Sequence, residues 1–133
     1  MESVRMLLAV GGGGCLGAIA RWSLGRWIVT LQGPPSATYF PWPTLSVNLL
    51  GCLAAGVLFG FWRTHPPASI VSTVVLSGFL GSFTTFSMFS LDALALNAAS
   101  PKSFLATYLF ASVAGCIALA SLGIWIGHSM ANR

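Results

Sequence analysis

The sequence predicts an all-α membrane protein of four transmembrane helices in a single domain over residues 1–133, with the third helix broken at mid-membrane and the subunit paired antiparallel with a copy of itself. Three observations lead there. Only 6% of the 133 residues are charged while 56% are hydrophobic, and the mean hydropathy is +0.84; a soluble domain needs roughly a quarter charged residues to cover its surface. Four apolar stretches reach the roughly 20 residues with which a helix crosses a bilayer. The few basic residues, finally, are shared almost evenly between the two ends of the spans.

The first span covers residues 6–29. Arg5, the apolar run behind it and Ala18-Ile19-Ala20 also resemble a secretory leader with a small-residue cleavage site. Four consecutive glycines make a poor leader core, however, and Gly13, Gly14, Gly17 and Ala18 fall at spacings that suit close helix packing. A connection from Gln32-Gly33-Pro34-Pro35 to Pro41-Trp42-Pro43 stops it, because proline ends helices. The second span, residues 44–62, contains Asn48 in an otherwise apolar run and a Gly56-x-x-x-Gly60 packing pair. His65-Pro66-Pro67 separates it from the third span, residues 69–97, and Ser100-Pro101-Lys102 separates that from the fourth, residues 104–128. Tyr108, Ser112 and Cys116 recur every four residues on one face of the last span. Trp22, Trp27, Tyr39, Trp42, Trp62 and Trp125 gather near span ends, as an interfacial aromatic belt does.

With four spans, Arg5, Arg63 and Arg133 lie on one side of the membrane, and Arg26, Lys102 and Arg21 on the other. Orientation follows the Lys/Arg difference between sides, so a difference near zero predicts insertion both ways and antiparallel pairing. A single orientation imposed by the insertion machinery or by a partner is the alternative.

The same sparse charges exclude several functions. Six basic residues scattered singly build no nucleic-acid patch. Glu2 and Asp92 each lack a second carboxylate for acid–base work, and His65 and His128 lack metal-ligating neighbours, so an enzyme is not expected. Cys15, Cys52 and Cys116, odd in number and far apart, read as small buried apolar residues.

The third span is the strongest local signal. The stretch 68–98 would be about 46 Å long as a helix, against a hydrocarbon core of about 30 Å. Its middle, G-F-L-G-S-F-T-T-F-S-M-F over residues 78–89, combines glycine with Ser82, Thr84, Thr85 and Ser87. Non-helical backbone at that depth survives only when buried in protein or lining a polar cavity. Broken spans free carbonyls and N–H groups for ions near the midplane.

That run, T-L-S-V-N-L-L-G over residues 44–51 and G-G-C-L-G-A-I-A-R-W over residues 13–22 resemble the three signatures of the Fluc (CrcB) fluoride channels, in family order and spacing. The resemblance implies a passive fluoride channel of the inner membrane that relieves fluoride toxicity, built as a dual-topology homodimer with two antiparallel pores. It places Asn48, Phe86, Ser87, Phe89, Tyr108 and Ser112 on the fluoride path and Arg21 near its vestibule. It implies a structural sodium ion on the dimer axis, held by the backbone carbonyls of Gly81 and Thr84, and no organic cofactor. Fluoride, sodium, lipid and a second copy of the chain are the implied partners, without nucleic acid. Met88 stands where that family usually has threonine, Cys116 where it commonly has serine, Ser82 where it has glycine and Asp92 where glutamate is common. A subunit of an unlike pair with one degenerate pore, or a small four-helix multidrug or cation exporter, are the alternatives; the latter needs a membrane-embedded carboxylate.

Overall fold

The computed structural model describes residues 2–32 and 40–133. Tyr39 and the Gly33-Pro34-Pro35 stop lie outside the described residues. Helix α1 runs Glu2–Gln32, α2 Trp42–Trp62, and the third span is composite: α3 Ser69–Ser72, a π-helical stretch Thr73–Leu80, α4 Gly81–Phe83, then α5 Phe86–Ala99. Helix α6, Lys102–Ala131, completes the bundle. Four segments, Glu2–Gln32, Trp42–Trp62, Ser69–Ala99 and Lys102–Ala131, are long and apolar enough to cross a membrane. They extend the apolar stretches read from sequence by about one turn or less at each end. Pro43 sits in the first turn of α2, and Pro101 is the N-cap of α6. A first-turn N–H has no helical acceptor to lose, so proline is tolerated there.

Spans pair with the next but one, and glycine sets the pairs. A Cβ on Gly56 would run into the carbonyl of Ala120, and one on Gly60 into that of Ile124; from the other side, Gly123 faces the Leu53 carbonyl and Gly127 that of Val57. Removing the Cβ from all four lets the α2 and α6 backbones touch, which is how helices associate in lipid, where burial of apolar surface adds little. Contact pairs Gly56/Ala120 and Gly60/Ile124 advance together in sequence, so α2 and α6 run parallel. On the other flank, a Cβ on Gly13 would lie 2.7 Å from the Val74 carbonyl oxygen and one on Gly78 would lie 2.9 Å from that of Val10. Gly17 meets the backbone of Phe79, so α1 packs along the π-helical stretch as an integral member of the bundle.

Outward faces are apolar. Leu7, Leu16, Trp22, Trp27, Leu94, Phe110, Ile117 and Trp125 are all exposed, the arrangement expected where the surrounding solvent is hydrocarbon. The tightest apolar core is small: Leu45, Leu96 and a fully buried Tyr108, with Phe40, Phe89 and Phe104 packed around them. Cys15 departs from the sequence reading. It is exposed on α1 rather than buried, and Cys52 and Cys116 are half-buried, because the buried stripe of α1 passes through Gly13 and Gly17.

Candidate functional site: a cleft at the broken span

The third span loses helical geometry at Thr84 and Thr85, whose φ/ψ values of −80°/159° and −151°/116° are extended. Asn48 on α2 fills the gap. Its Nδ2 donates to the Thr85 carbonyl at 3.1 Å, and its Oδ1 accepts the Thr85 N–H at 2.8 Å. Thr85 is also the N-cap of α5, its Oγ1 accepting the Met88 N–H at 3.3 Å and sharing a hydrogen bond with Ser87 Oγ at 3.1 Å. In an uninterrupted helix the N–H groups of Thr85 and Met88 would close on the carbonyls of Gly81 and Thr84. Here both donors are taken elsewhere, which releases those two carbonyls from their helical partners.

One turn past the glycine contacts, the α2–α6 seam opens. The register that sets Gly60 on Ile124 and Gly56 on Ala120 brings Cys52 beside Cys116 and Asn48 beside Ser112. These four residues, with Thr84, Thr85, Phe86, Phe89, Val113 and Ile117, line a cleft of about 340 Å³. Phe86 and Phe89 stand one helical turn apart with ring centroids 5.4 Å apart. The Ser112 hydroxyl is buried in the wall with no hydrogen-bond partner among the described residues. A buried hydroxyl left unpaired costs about 1–3 kcal/mol, so it marks a place where a ligand or water completes the bonding.

A second cleft, of about 570 Å³, lies between α1, α2 and α5; Arg21, Arg26, Ser87, Met88 and Asp92 are among the residues that line it. Thr85 belongs to both clefts. Two guanidinium groups against one carboxylate give the second cleft a positive field that favours anions. The site residues expected from sequence therefore divide. Asn48, Phe86, Phe89 and Ser112 come together in the first cleft, while Arg21 and Ser87 lie in the second. Met88 lies there too, turned away from the two rings. Tyr108 lines neither: it is wholly buried behind Phe89, with ring centroids 5.4 Å apart, and donates from its hydroxyl to Asp92 Oδ2 at 3.3 Å. Arg21 sits about three turns before the end of α1 because that helix continues to Gln32. Thr85, the hinge of the arrangement, is legible in the sequence only as one of the hydroxyl residues of the break, without a site role there, although a threonine ahead of the F-S-M-F turn is an N-cap signal.

The family model of the CrcB-like protein, Camphor Resistance (CrcB), matches residues 8–124. The chain belongs to the CrcB family. Similar members include the protein named fluoride-specific ion channel FluC from Stutzerimonas stutzeri (strain A1501), 40% identical over 130 residues, covering 97% of this chain and 98% of the relative. Proteins of the same name from Rhizobium leguminosarum bv. trifolii (strain WSM2304) and Rhizobium etli (strain ATCC 51251 / DSM 11541 / JCM 21823 / NBRC 15573 / CFN 42) are 37% and 38% identical over 127 and 126 residues. The first alignment spans 95% of this chain and 97% of the relative, the second 94% and 96%. This CrcB-family chain is thus matched nearly end to end, and the matched residues contain both clefts and the break between them.

Proposed function

We propose that the protein is a fluoride channel of the plasma membrane, releasing fluoride from the cytoplasm passively down its electrochemical gradient. The observation that carries this reading is the buried, unpartnered hydroxyl of Ser112 in a cleft walled by Phe86 and Phe89 and joined through Thr85 to a cationic vestibule. A small anion that sheds water needs replacement donors, and a hydrogen bond to a charged group is worth about 1.5–3 kcal/mol net. Ser112 offers an O–H donor. The rings offer edges, where the aromatic quadrupole is positive. Arg21 and Arg26 raise the local anion concentration ahead of the constriction. The names of the relatives support the same substrate.

In this reading the active unit is an antiparallel homodimer with two pores. Phe86 is 78% exposed in the single chain, and the cleft beside it is open, so a second copy would supply the missing wall. The balanced Lys/Arg distribution supports insertion in both orientations. At the break, the carbonyls of Gly81 and Thr84, relieved of their helical donors, suit a small hard cation, and Gly81 is exposed on the protomer surface. Gly81 and Thr84 would hold a structural sodium ion there together with their copies in the partner, the ion offsetting converging carbonyl dipoles. The test is reconstitution of purified protein into vesicles loaded with potassium fluoride or potassium chloride, with valinomycin to carry potassium. Fluoride efflux without chloride efflux is expected; efflux of neither anion, or of both equally, overturns the proposal.

A further inference from the structure

Cys52 and Cys116 form a pair that the fluoride path does not require. The parallel register of α2 and α6, fixed by Gly56 on Ala120 and Gly60 on Ile124, places one thiol beside the other a turn away. The two side chains face the same cleft from opposite sides of the seam. Both line the cleft next to the unpartnered Ser112 hydroxyl, and both are half-buried free thiols. Two adjacent thiols on separate, firmly packed helices can chelate, which Cys15, alone and exposed on α1, cannot.

We propose that Cys52 and Cys116 constitute a two-thiol site for a soft divalent cation that prefers linear two-coordination, Hg(II) being the probe, and that its occupation closes the anion cleft. Softness selects thiolate sulfur over the hydroxyls and carbonyls nearby. The step balances: each thiol gives its proton to water, each sulfur donates a lone pair to the metal, and no electron is transferred. Two thiolate charges cancel the two positive charges of the metal. The product is neutral, which matters in a medium where an uncompensated charge is costly, and disfavours a monovalent soft ion that would leave the site anionic. A bound metal beside Ser112 also occupies the volume in which an anion would sit between that hydroxyl and Phe89.

The blocking arm rests on the channel reading, whereas the binding arm does not. The experiment uses the full-length Cys15→Ala protein, so that only the paired thiols remain, and titrates free thiols as Hg(II) is added. Two thiols are expected to disappear per mercury, and Cys52→Ala or Cys116→Ser in the same background should lose this stoichiometry. Consumption of one thiol per mercury in the paired protein overturns the site. In vesicles, basal fluoride efflux is measured before the metal. Its absence overturns the channel reading while the thiol titration still tests the site. With basal efflux present, one equivalent of Hg(II) should abolish it, a dithiol should restore it, and the Cys116→Ser protein, read against its own basal efflux, should lose the block. Undiminished efflux at full occupancy overturns the blocking role.

Discussion

Asn48 holds Thr85 by both of its backbone groups, a double hydrogen bond of 3.1 Å and 2.8 Å between a side-chain amide on α2 and the peptide on either side of the break. The amide is isosteric with a peptide group, so it substitutes for a strand neighbour that the membrane interior cannot provide. It explains how two extended residues persist at this depth, where each unmade backbone hydrogen bond costs several kcal/mol. Asn48→Leu should therefore act first on the fold. Both Thr85 groups lose their partner at about 1–3 kcal/mol each, and the thermal midpoint in detergent should fall with fluoride flux. Asn48→Asp keeps an acceptor for the Thr85 N–H but turns a second acceptor toward the Thr85 carbonyl, so it should retain part of the stability. Equal midpoints for wild type and Asn48→Leu would mean that the amide is not what holds the break.

Ser112 separates stability from conduction. Its hydroxyl is buried and unpartnered, so Ser112→Ala removes a group the fold does not satisfy and should leave the thermal midpoint unchanged or raised. Flux should fall about tenfold, since a lost charge-assisted donor of about 1.5 kcal/mol at the barrier corresponds to one decade in rate. A large loss of stability with intact flux would assign the hydroxyl to packing.

Phe86 and Phe89 should respond alike in flux and differently in stability. Replacing either with Ile keeps bulk and apolarity but removes the ring edge, so fluoride efflux should slow in both. Phe89 packs on Tyr108, which in turn meets Phe40 edge-on at 5.7 Å. Phe89→Ile thus gives up an aromatic contact of about 0.5–1.5 kcal/mol and should lower the thermal midpoint. Phe86→Ile gives up only its contact with Phe89, its ring being 78% exposed in the protomer, and should lower the midpoint less. Unchanged flux in both variants would make the rings packing elements only.

Sequence alone carried the four spans, because hydropathy and proline stops are local and strong. It also carried the break, since glycine and hydroxyl residues crowd a stretch too long for one straight helix. Pairing was harder. Gly56-x-x-x-Gly60 was legible as a packing motif, yet its counterpart is Gly123-x-x-x-Gly127 on α6, and no single-helix pattern says which two motifs meet. Tyr108 shares a helical face with Ser112, but whether a side chain four residues away lines a cleft or supports one depends on its neighbours. Here Phe89 stands between Tyr108 and the cleft, and Asp92 takes its hydroxyl. Met88 turns away from Phe86 and Phe89 because residues at i+2 and i−1 on a helix point elsewhere.

The glycines are expected to rank by what a Cβ would meet. Nothing lies within 4 Å of a Cβ on Gly11 or Gly12, so alanine at either should be tolerated and favour α1 by about 0.5–1 kcal/mol through reduced backbone entropy. Alanine at Gly56 or Gly127 drives a methyl into the backbone of Ala120 or Val57, where no flexible side chain can yield. Those variants should assemble poorly, as read by thermal midpoint and by size-exclusion profile. Tolerance of Gly127→Ala equal to that of Gly11→Ala would contradict the α2–α6 seam.

Thr84 tests the proposed cation through its backbone rather than its side chain. Its N–H and its Oγ1 both donate to the Leu80 carbonyl, each at 3.0 Å, which anchors the residue on its N-terminal side, while its own carbonyl lies in the following peptide, whose N–H Asn48 holds at 2.8 Å. Thr84→Ser keeps both donors and should keep sodium, dimer and flux. Thr84→Pro removes the N–H and pushes the preceding Phe83 out of helical geometry, so the Gly81 and Thr84 carbonyls lose their relative placement although both oxygens remain. Dimer stability and fluoride efflux should then fall together. In the wild-type protein, exchanging sodium for a bulky organic cation should reproduce that loss reversibly, whereas Thr84→Pro should be indifferent to the exchange. Assembly and flux that are untouched by sodium removal in the wild type would show that the released carbonyls hold no ion, and that Asn48 alone stabilises the break.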